Sequence, residues 1–228
     1  MSDNMSGIPT PKEGSIEMST LESLSEAVQK GRSKEVLALI ESGLDEGLSA
    51  QQLLDEGLLK GMNILGVKFK NNEVFVPEVL IAARALNKGS EMLKPKLIEA
   101  GVEARGTAVV GTVKGDLHDI GKNLVKMMLE GSGFAVTDLG VDVSDAQFVE
   151  AIETVHPDVV CLSSLLTTTM GEQRTVVEAI TDANLRGQVK ILVGGAPITQ
   201  EYCDEIGADG YAPDAASAAE LAFSMLAK

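Results

Sequence analysis

The sequence predicts an α/β protein built in two parts: an N-terminal four-helix bundle, then an open sheet of five parallel strands with helices on both faces. Three observations predict it. Between about residues 19 and 100, apolar residues recur at three-and-four spacing behind helix-start signals. From about residue 104, short continuous apolar runs alternate with amphipathic stretches, as strands covered on both faces alternate with crossover helices. The 228 residues, 44% hydrophobic and 23% charged, have ordinary globular composition and are enough for two cores.

Residues 1–17, with Pro9 and Pro11 among small polar residues, read as a flexible tail without the basic-then-apolar pattern of a signal peptide. Ser19 and Glu22 have capping-box spacing, and Leu21, Leu24 and Val28 continue a helix. A second helix runs from about Ser33 through Val36, Leu37 and Ile40 to Gly43. A third starts at Ser49 and carries Leu53, Leu54, Leu58, Leu59, Met62 and Leu65 on its apolar face. Pro77 suits the first turn of a fourth, where its missing N–H has no intrahelical partner to lose. These helices form a domain over 18–103. Strands are expected at 107–113, 134–139, 158–162, 190–193 and 210–212. Helices are expected at 121–130, 145–155, 171–185, 199–206 and from 215 onward, completing a doubly wound domain over 104–228. The strand order expected of such a flavodoxin-like, Rossmann-type sheet is 2-1-3-4-5.

Charge and composition exclude several functions. With 19 Lys and Arg against 34 Asp and Glu, the formal charge is −15, a field that repels phosphate backbones. No Trp and 3% aromatics leave little to stack on bases, so no nucleic-acid partner is expected. No apolar run reaches the roughly 18 residues of a membrane span, and Cys161 and Cys203 lack CxxC spacing. The expectation is a soluble, cytoplasmic chain with two free thiols and no membrane partner.

In an open parallel sheet, ligands bind beyond the carboxyl ends of the strands where the order reverses, here between strands 1 and 3. The loop after the first strand reads Lys114-Gly115-Asp116-Leu117-His118-Asp119-Ile120-Gly121. The third strand leads into Ser163-Ser164-Leu165-Leu166-Thr167-Thr168-Thr169, the fourth into Gly194-Gly195, and the fifth into Tyr211-Ala212. One of the chain's two histidines, His118, therefore lies on this rim, with Asp116 placed to accept its Nδ1–H and leave Nε2 for a metal. His156 lies at the foot of strand 3 and reads as structural. One histidine without a nearby Cys or second His makes a poor zinc site, which needs three or four protein ligands. A metal already held by a macrocycle needs only one. That indicates haem or a corrin, and the low aromatic content counts against an aromatic haem slot.

These residues resemble the cobalamin-binding proteins that carry Asp-x-His-x-x-Gly, then Ser-x-Leu, then Gly-Gly. Asp116 to Gly121 match the first part, 41 residues (122–162) precede Ser163-Ser164-Leu165, and 28 (166–193) precede Gly194-Gly195. Gly61-Met62-Asn63, Val67-Lys68-Phe69 and Phe75-Val76-Pro77-Glu78 resemble the family's helical cap, so the resemblance covers about residues 19–228. It implies cobalamin or a related corrinoid bound base-off/His-on, with His118 on cobalt, Asp116 orienting its ring, and Thr169 continuing the relay where methionine synthase is expected to have Ser. Leu117, Asp119, Ile120 and Gly121 belong to the same binding motif, and Leu165 and Thr167 to the strand 3 loop. Ser163 is implied to meet the buried base, Gly194 and Gly195 to let the tail pass, and Tyr211 and Ala215 to line its far end. Phe75, Leu80 and Leu86 are the implied apolar lid over reactive cobalt(I), with a hinge at residues 101–106.

The overall resemblance is to stand-alone corrinoid proteins of methanol, methylamine and aryl-ether demethylation systems. It implies a methyl carrier, not catalytic alone, cycling between cobalt(I) and methyl-cobalt(III). The implied partners are a substrate:corrinoid methyltransferase, a methylcorrinoid:tetrahydrofolate or thiol methyltransferase, and a reductive activase. No second catalytic domain fits into 228 residues, so the transferases are expected as separate chains. A corrinoid-dependent mutase subunit shares the His motif without needing this cap. A cobalamin-binding regulatory or light-sensing module would call for a DNA-binding segment and a cap Trp, and a flavodoxin-like signalling module would leave the motif spacing to coincidence.

Overall fold

The computed structural model describes residues 19–226, so the tail expected at 1–17 lies outside the described residues. Helix α1 (Thr20–Gln29) opens on the expected capping box: Glu22 N–H donates to Ser19 Oγ at 3.3 Å, and Ser19 N–H to the Glu22 carboxylate at 3.1 Å. Helix α2 (Ser33–Asp45) follows after a turn through Gly31. The third rod is continuous but composite: α3 (Ala50–Gln52), a π-helical stretch at Leu53–Leu59, and α4 (Lys60–Lys70). The wide turn was not expected, because three-and-four spacing of leucines looks the same whether bonds close over four residues or five. Ser49 caps the rod's start through Gln52. Helix α5 (Val76–Glu99) carries Pro77 in its first turn, and Glu78 accepts the Phe75 N–H at 3.1 Å.

The remaining elements alternate as expected: β1 (Gly106–Thr112), α6 (Ile120–Gly131), β2 (Phe134–Asp138), α7 (Asp145–Val155), β3 (Val159–Ser163), α8 (Met170–Asp182), β4 (Lys190–Gly194), α9 (Gln200–Ile206), β5 (Gly210–Tyr211) and α10 (Ala215–Leu226). All four pairings are parallel and the order is β2-β1-β3-β4-β5, the order the sequence predicts. Residues alternate between the two faces. Ala108, Val110, Cys161 and Leu192 point toward α6 and α10, while Val109, Val160, Leu162, Ile191 and Val193 point toward α7, α8 and α9.

The bundle does not stand apart. Its buried Leu24, Ile40, Leu58, Met62 and Leu86 belong to one core with the α6/α10 face of the sheet, α4 packing on α6 and α10. Each such fully buried side chain contributes about 1.5–3 kcal/mol. Two half-exposed ion pairs, Arg105 to Asp55 and Lys70 to Glu220, both at 2.7 Å, also join the halves, but contribute little beside this apolar contact. The arrangement leaves one crevice at the carboxyl ends of β1 and β3, where the chain departs toward opposite faces of the sheet.

Candidate cofactor site

The loop from β1 to α6 is held rigidly. Gly115 turns at φ +78°, and its N–H donates to Asp142 Oδ1 at 2.7 Å, while Asp142 N–H donates to the Asp116 carbonyl at 3.0 Å. The Thr112 hydroxyl, at the end of β1, donates to the His118 carbonyl at 2.9 Å. Together these contacts aim the Asp116 side chain inward and His118 outward.

Asp116 is fully buried, and both its oxygens accept hydrogen bonds. Oδ1 takes the His118 N–H at 3.0 Å and lies 2.7 Å from His118 Nδ1. Oδ2 takes the Leu165 N–H and the Thr169 hydroxyl, each at 2.8 Å. Burial by itself raises this carboxyl, but the backbone bonds from His118 and Leu165, the imidazole and the Thr169 hydroxyl together hold it well below the usual carboxylate range. It is an acceptor at neutral pH, so Nδ1 donates to it and Nε2 is the ring nitrogen left for a ligand. Nε2 makes no hydrogen bond among the described residues, and the side chain is 51% exposed. Thr169 stands at the N-cap of α8 but gives its hydroxyl to Asp116 rather than to the helix.

Beside His118 opens a cavity of about 680 Å³ between α6, the ends of β1, β3 and β4, and α10. Of the residues the sequence singled out, Leu117, His118, Asp119, Ile120, Gly121, Ser163, Leu165, Gly194, Gly195, Tyr211 and Ala215 all line it. Asp116 and Thr169 lie behind His118, and Thr167 is exposed on the rim without lining the cavity. Phe75 and Leu80 are exposed on the bundle, and neither lines the cavity. Leu86, grouped with them as a lid residue, is instead buried in the bundle core at 1% exposure. Its place on α5 faces the other helices, a distinction that apolar spacing on one helix does not carry. His156 forms the C-cap of α7 in the left-handed conformation.

Sequence reasoning missed five contributors. Phe69 of α4 brings the bundle to the cavity wall, and only its place in a quoted cap motif hinted at it. Lys122 also lines the cavity, almost fully buried, with its ammonium 2.6 Å from Asp138 and 2.7 Å from Asn123. Burial raises the Asp138 carboxyl, but the Lys122 hydrogen bond, the Gly140 N–H and the Lys122 and Lys126 charges bring it below its ordinary value. Thr112 and Asp142 fix the loop, and Ser164 stands behind Thr169. No sequence signal marks these polar residues, since the partner of each is fixed by how the loops fold and not by a recognisable spacing.

The two glycines at the end of β4 differ. A Cβ on Gly194 would meet only the Ala212 carbonyl at 3.6 Å, an ordinary contact. Gly195 has φ +132°, and a Cβ there would lie 1.7 Å from the Ser164 carbonyl oxygen, so its missing side chain is required by the chain's own backbone.

These residues suit a large planar group with one open axial position. Val110, Leu124, Cys161, Leu192 and Ala218 make the cavity interior apolar, with Ser163 and Asp214 among its polar groups. Leu117 and Ile120, at 71% and 70% exposure, leave an apolar collar beside the one imidazole, which a flat apolar-edged ligand would cover. The volume falls within the range of cofactor sites, roughly 300–1,000 Å³.

The chain matches the B12 binding domain family over residues 106–220, and a second family, also described as a B12 binding domain, over residues 20–94. A corrinoid protein of Desulfitobacterium hafniense is 40% identical over 214 residues, covering 92% of this chain and 99% of its own. Dimethylamine corrinoid protein 1 of Methanosarcina acetivorans is 42% identical over 208 residues, covering 91% of this chain and 97% of its own. Among solved structures, the methanol:cobalamin methyltransferase complex of Methanosarcina barkeri aligns with a TM-score of 0.82 at 26% identity, over 91% of this chain and 80% of that one. No helix among the described residues is long and apolar enough to cross a membrane. Matched along both the bundle and the sheet, and in nearly the full length of its curated relatives, this chain belongs to the family of B12-binding corrinoid proteins.

Proposed function

We propose that this chain is the methyl carrier of a corrinoid-dependent methyltransferase system, with His118 as the lower axial ligand of a base-off corrinoid. The carrying observation is the imidazole tied at 2.7 Å to a buried carboxylate, its second nitrogen free at the mouth of an apolar cavity, in a B12-binding chain. When bound, the corrinoid supplies a cobalt centre that accepts a methyl group from one partner and gives it to another.

The chain's own residues hold and bias that centre. Asp116 fixes the ring plane and keeps the proton on Nδ1, so that Nε2 faces the ligand as a base. Thr169 satisfies the second carboxylate oxygen. Leu117, Ile120 and Leu165 would contact the corrinoid, with Asp119, Gly121 and Thr167 beside them. Ser163, Gly194, Gly195, Tyr211 and Ala215 admit the displaced lower base and its tail. Phe75 and Leu80, exposed on the bundle, would shield the bound corrinoid from solvent. A substrate:corrinoid methyltransferase would load the carrier, a pairing supported by the alignment with a methanol:cobalamin methyltransferase complex. A second methyltransferase, which would pass the methyl group to tetrahydrofolate or a thiol, and a reductive activase are the other partners this reading calls for. In this reading the chain works in the cytoplasm as the carrier subunit of the system.

Reconstitution with cobalamin tests the reading. The absorption spectrum should be of base-off, His-on form, and nitrogen-15 in labelled histidine should couple to cobalt(II) in electron paramagnetic resonance. A spectrum that His118→Ala leaves unchanged would remove His118 from the axial position.

A further inference from the structure

Ser164 follows Ser163 at the end of β3 but serves a different purpose. Ser163 lines the cavity, whereas Ser164 is fully buried. Its backbone is fixed on both sides: Ser164 N–H donates to the Gly194 carbonyl at 3.1 Å, and its carbonyl oxygen fills the space a Gly195 side chain would need. Its Oγ lies 2.9 Å from Thr169 Oγ1 and 3.4 Å from the Leu166 carbonyl.

The Thr169 hydroxyl has one proton and three acceptors in reach: Asp116 Oδ2 at 2.8 Å, Ser164 Oγ at 2.9 Å and the Leu166 carbonyl at 3.2 Å. Only the first choice completes the shell of Asp116. Ser164 removes the nearer of the two competitors. When its own proton lies on Thr169 Oγ1, its nearer acceptor, Ser164 is no longer an acceptor for Thr169, and of the two that remain the charged carboxylate at 2.8 Å outcompetes the Leu166 carbonyl at 3.2 Å. A hydroxyl that accepts one hydrogen bond also donates a stronger one, so the chain polarises in one direction.

We infer that Ser164 is a positioning residue, a buried donor that turns the Thr169 hydroxyl proton onto Asp116 and through it steadies the His118 ring. The hydrogen bonds then run Ser164 to Thr169 to Asp116, with His118 donating to the same carboxylate from the exposed side. The assembly has one open end, His118, and one closed end, Ser164, which meets only protein. This deepens the reading of the relay above and rests on it, but it concerns the chain without corrinoid and is tested there.

Nitrogen-15 histidine spectra of the corrinoid-free protein follow the His118 Nδ1 proton. Ser164→Ala should move that resonance upfield and speed its exchange with water roughly fivefold, the factor set by the net worth of one hydrogen bond. In a Thr169→Val background the same change should have no further effect, because the link through which it acts is gone. An unmoved resonance in Ser164→Ala, or an equal shift with and without Thr169, overturns the inference. Should the variant not fold, neutron diffraction of the unmodified protein decides: a Ser164 deuteron on Thr169 Oγ1 supports the assignment and one on the Leu166 carbonyl refutes it. Failure of corrinoid to bind His118 would leave these readouts intact, so the two ideas fall separately.

Discussion

Replacing Gly195 by alanine asks whether the slot rim is set by the protein's own backbone. The added Cβ would stand 1.7 Å from the Ser164 carbonyl oxygen and 2.7 Å from its carbon, at a φ of +132°. To reach the 3.4 Å of ordinary contact, the Ser164 peptide would have to retreat by about 1.7 Å. That peptide is held by Ser164 N–H on the Gly194 carbonyl at 3.1 Å and by Leu165 N–H on Asp116 at 2.8 Å. Backbone strain of about 1–3 kcal/mol and the loosening of one buried hydrogen bond, about 1 kcal/mol, give a cost of roughly 2–4 kcal/mol. At 2–4 °C per kcal/mol for a chain of this size, Tm of the corrinoid-free protein should fall by roughly 4–16 °C. Gly194→Ala is the control. Its Cβ meets one oxygen at 3.6 Å, so stability should stay within about 0.5 kcal/mol. Thermal unfolding followed by circular dichroism measures both. If Gly195→Ala unfolds with the unmodified chain, the backbone contact does not govern this turn.

Asp116→Asn should lose about 2–3 kcal/mol at neutral pH, because the carboxylate's charge-assisted bonds to His118, Leu165 and Thr169 are weakened or reversed. The pH dependence has a definite sign. A carboxyl held below its unfolded value near 3.9 stabilises the fold fully above that pH, and the contribution fades as pH falls toward the folded value. Urea unfolding between about pH 7 and about pH 3 should therefore show a shallower acid decline in the Asn variant, and equal slopes would contradict the argument. Burial pushes the Cys161 thiol up to about 12 and the Cys203 thiol upward as well, the latter helped by Asp204 and Asp209. Neither should react with a maleimide at neutral pH until the chain unfolds, and rapid labelling of the native protein would contradict their placement.

Much of this site is legible in the sequence because its parts are local or governed by a general rule of open sheets. Alternation of apolar runs with amphipathic stretches predicts a doubly wound sheet, and its flavodoxin-like order brings the loops after β1, β3 and β4 to one rim. Asp116 and His118 are two residues apart, so their contact follows from a single tight loop. Helix starts at Ser19 and Ser49 are legible for the same reason, since a cap is decided within four residues.

By itself the sequence determined the fold class and the Asp116–His118 motif, features set by near neighbours or by one periodicity, and the strand order followed from the flavodoxin-like class. The tertiary structure alone decided which polar groups meet, whether within one loop or across separate elements. It placed Ser164 behind Thr169, buried Lys122 against Asp138, set the Ser164 carbonyl where a Gly195 side chain would be, and put Phe69 at the cavity wall while Leu86 entered the bundle core. The physical reason is range. Periodicity reports which face of an element is apolar, but hydrogen-bond direction and close approach depend on tenths of an ångström between atoms brought together from distant parts of the chain.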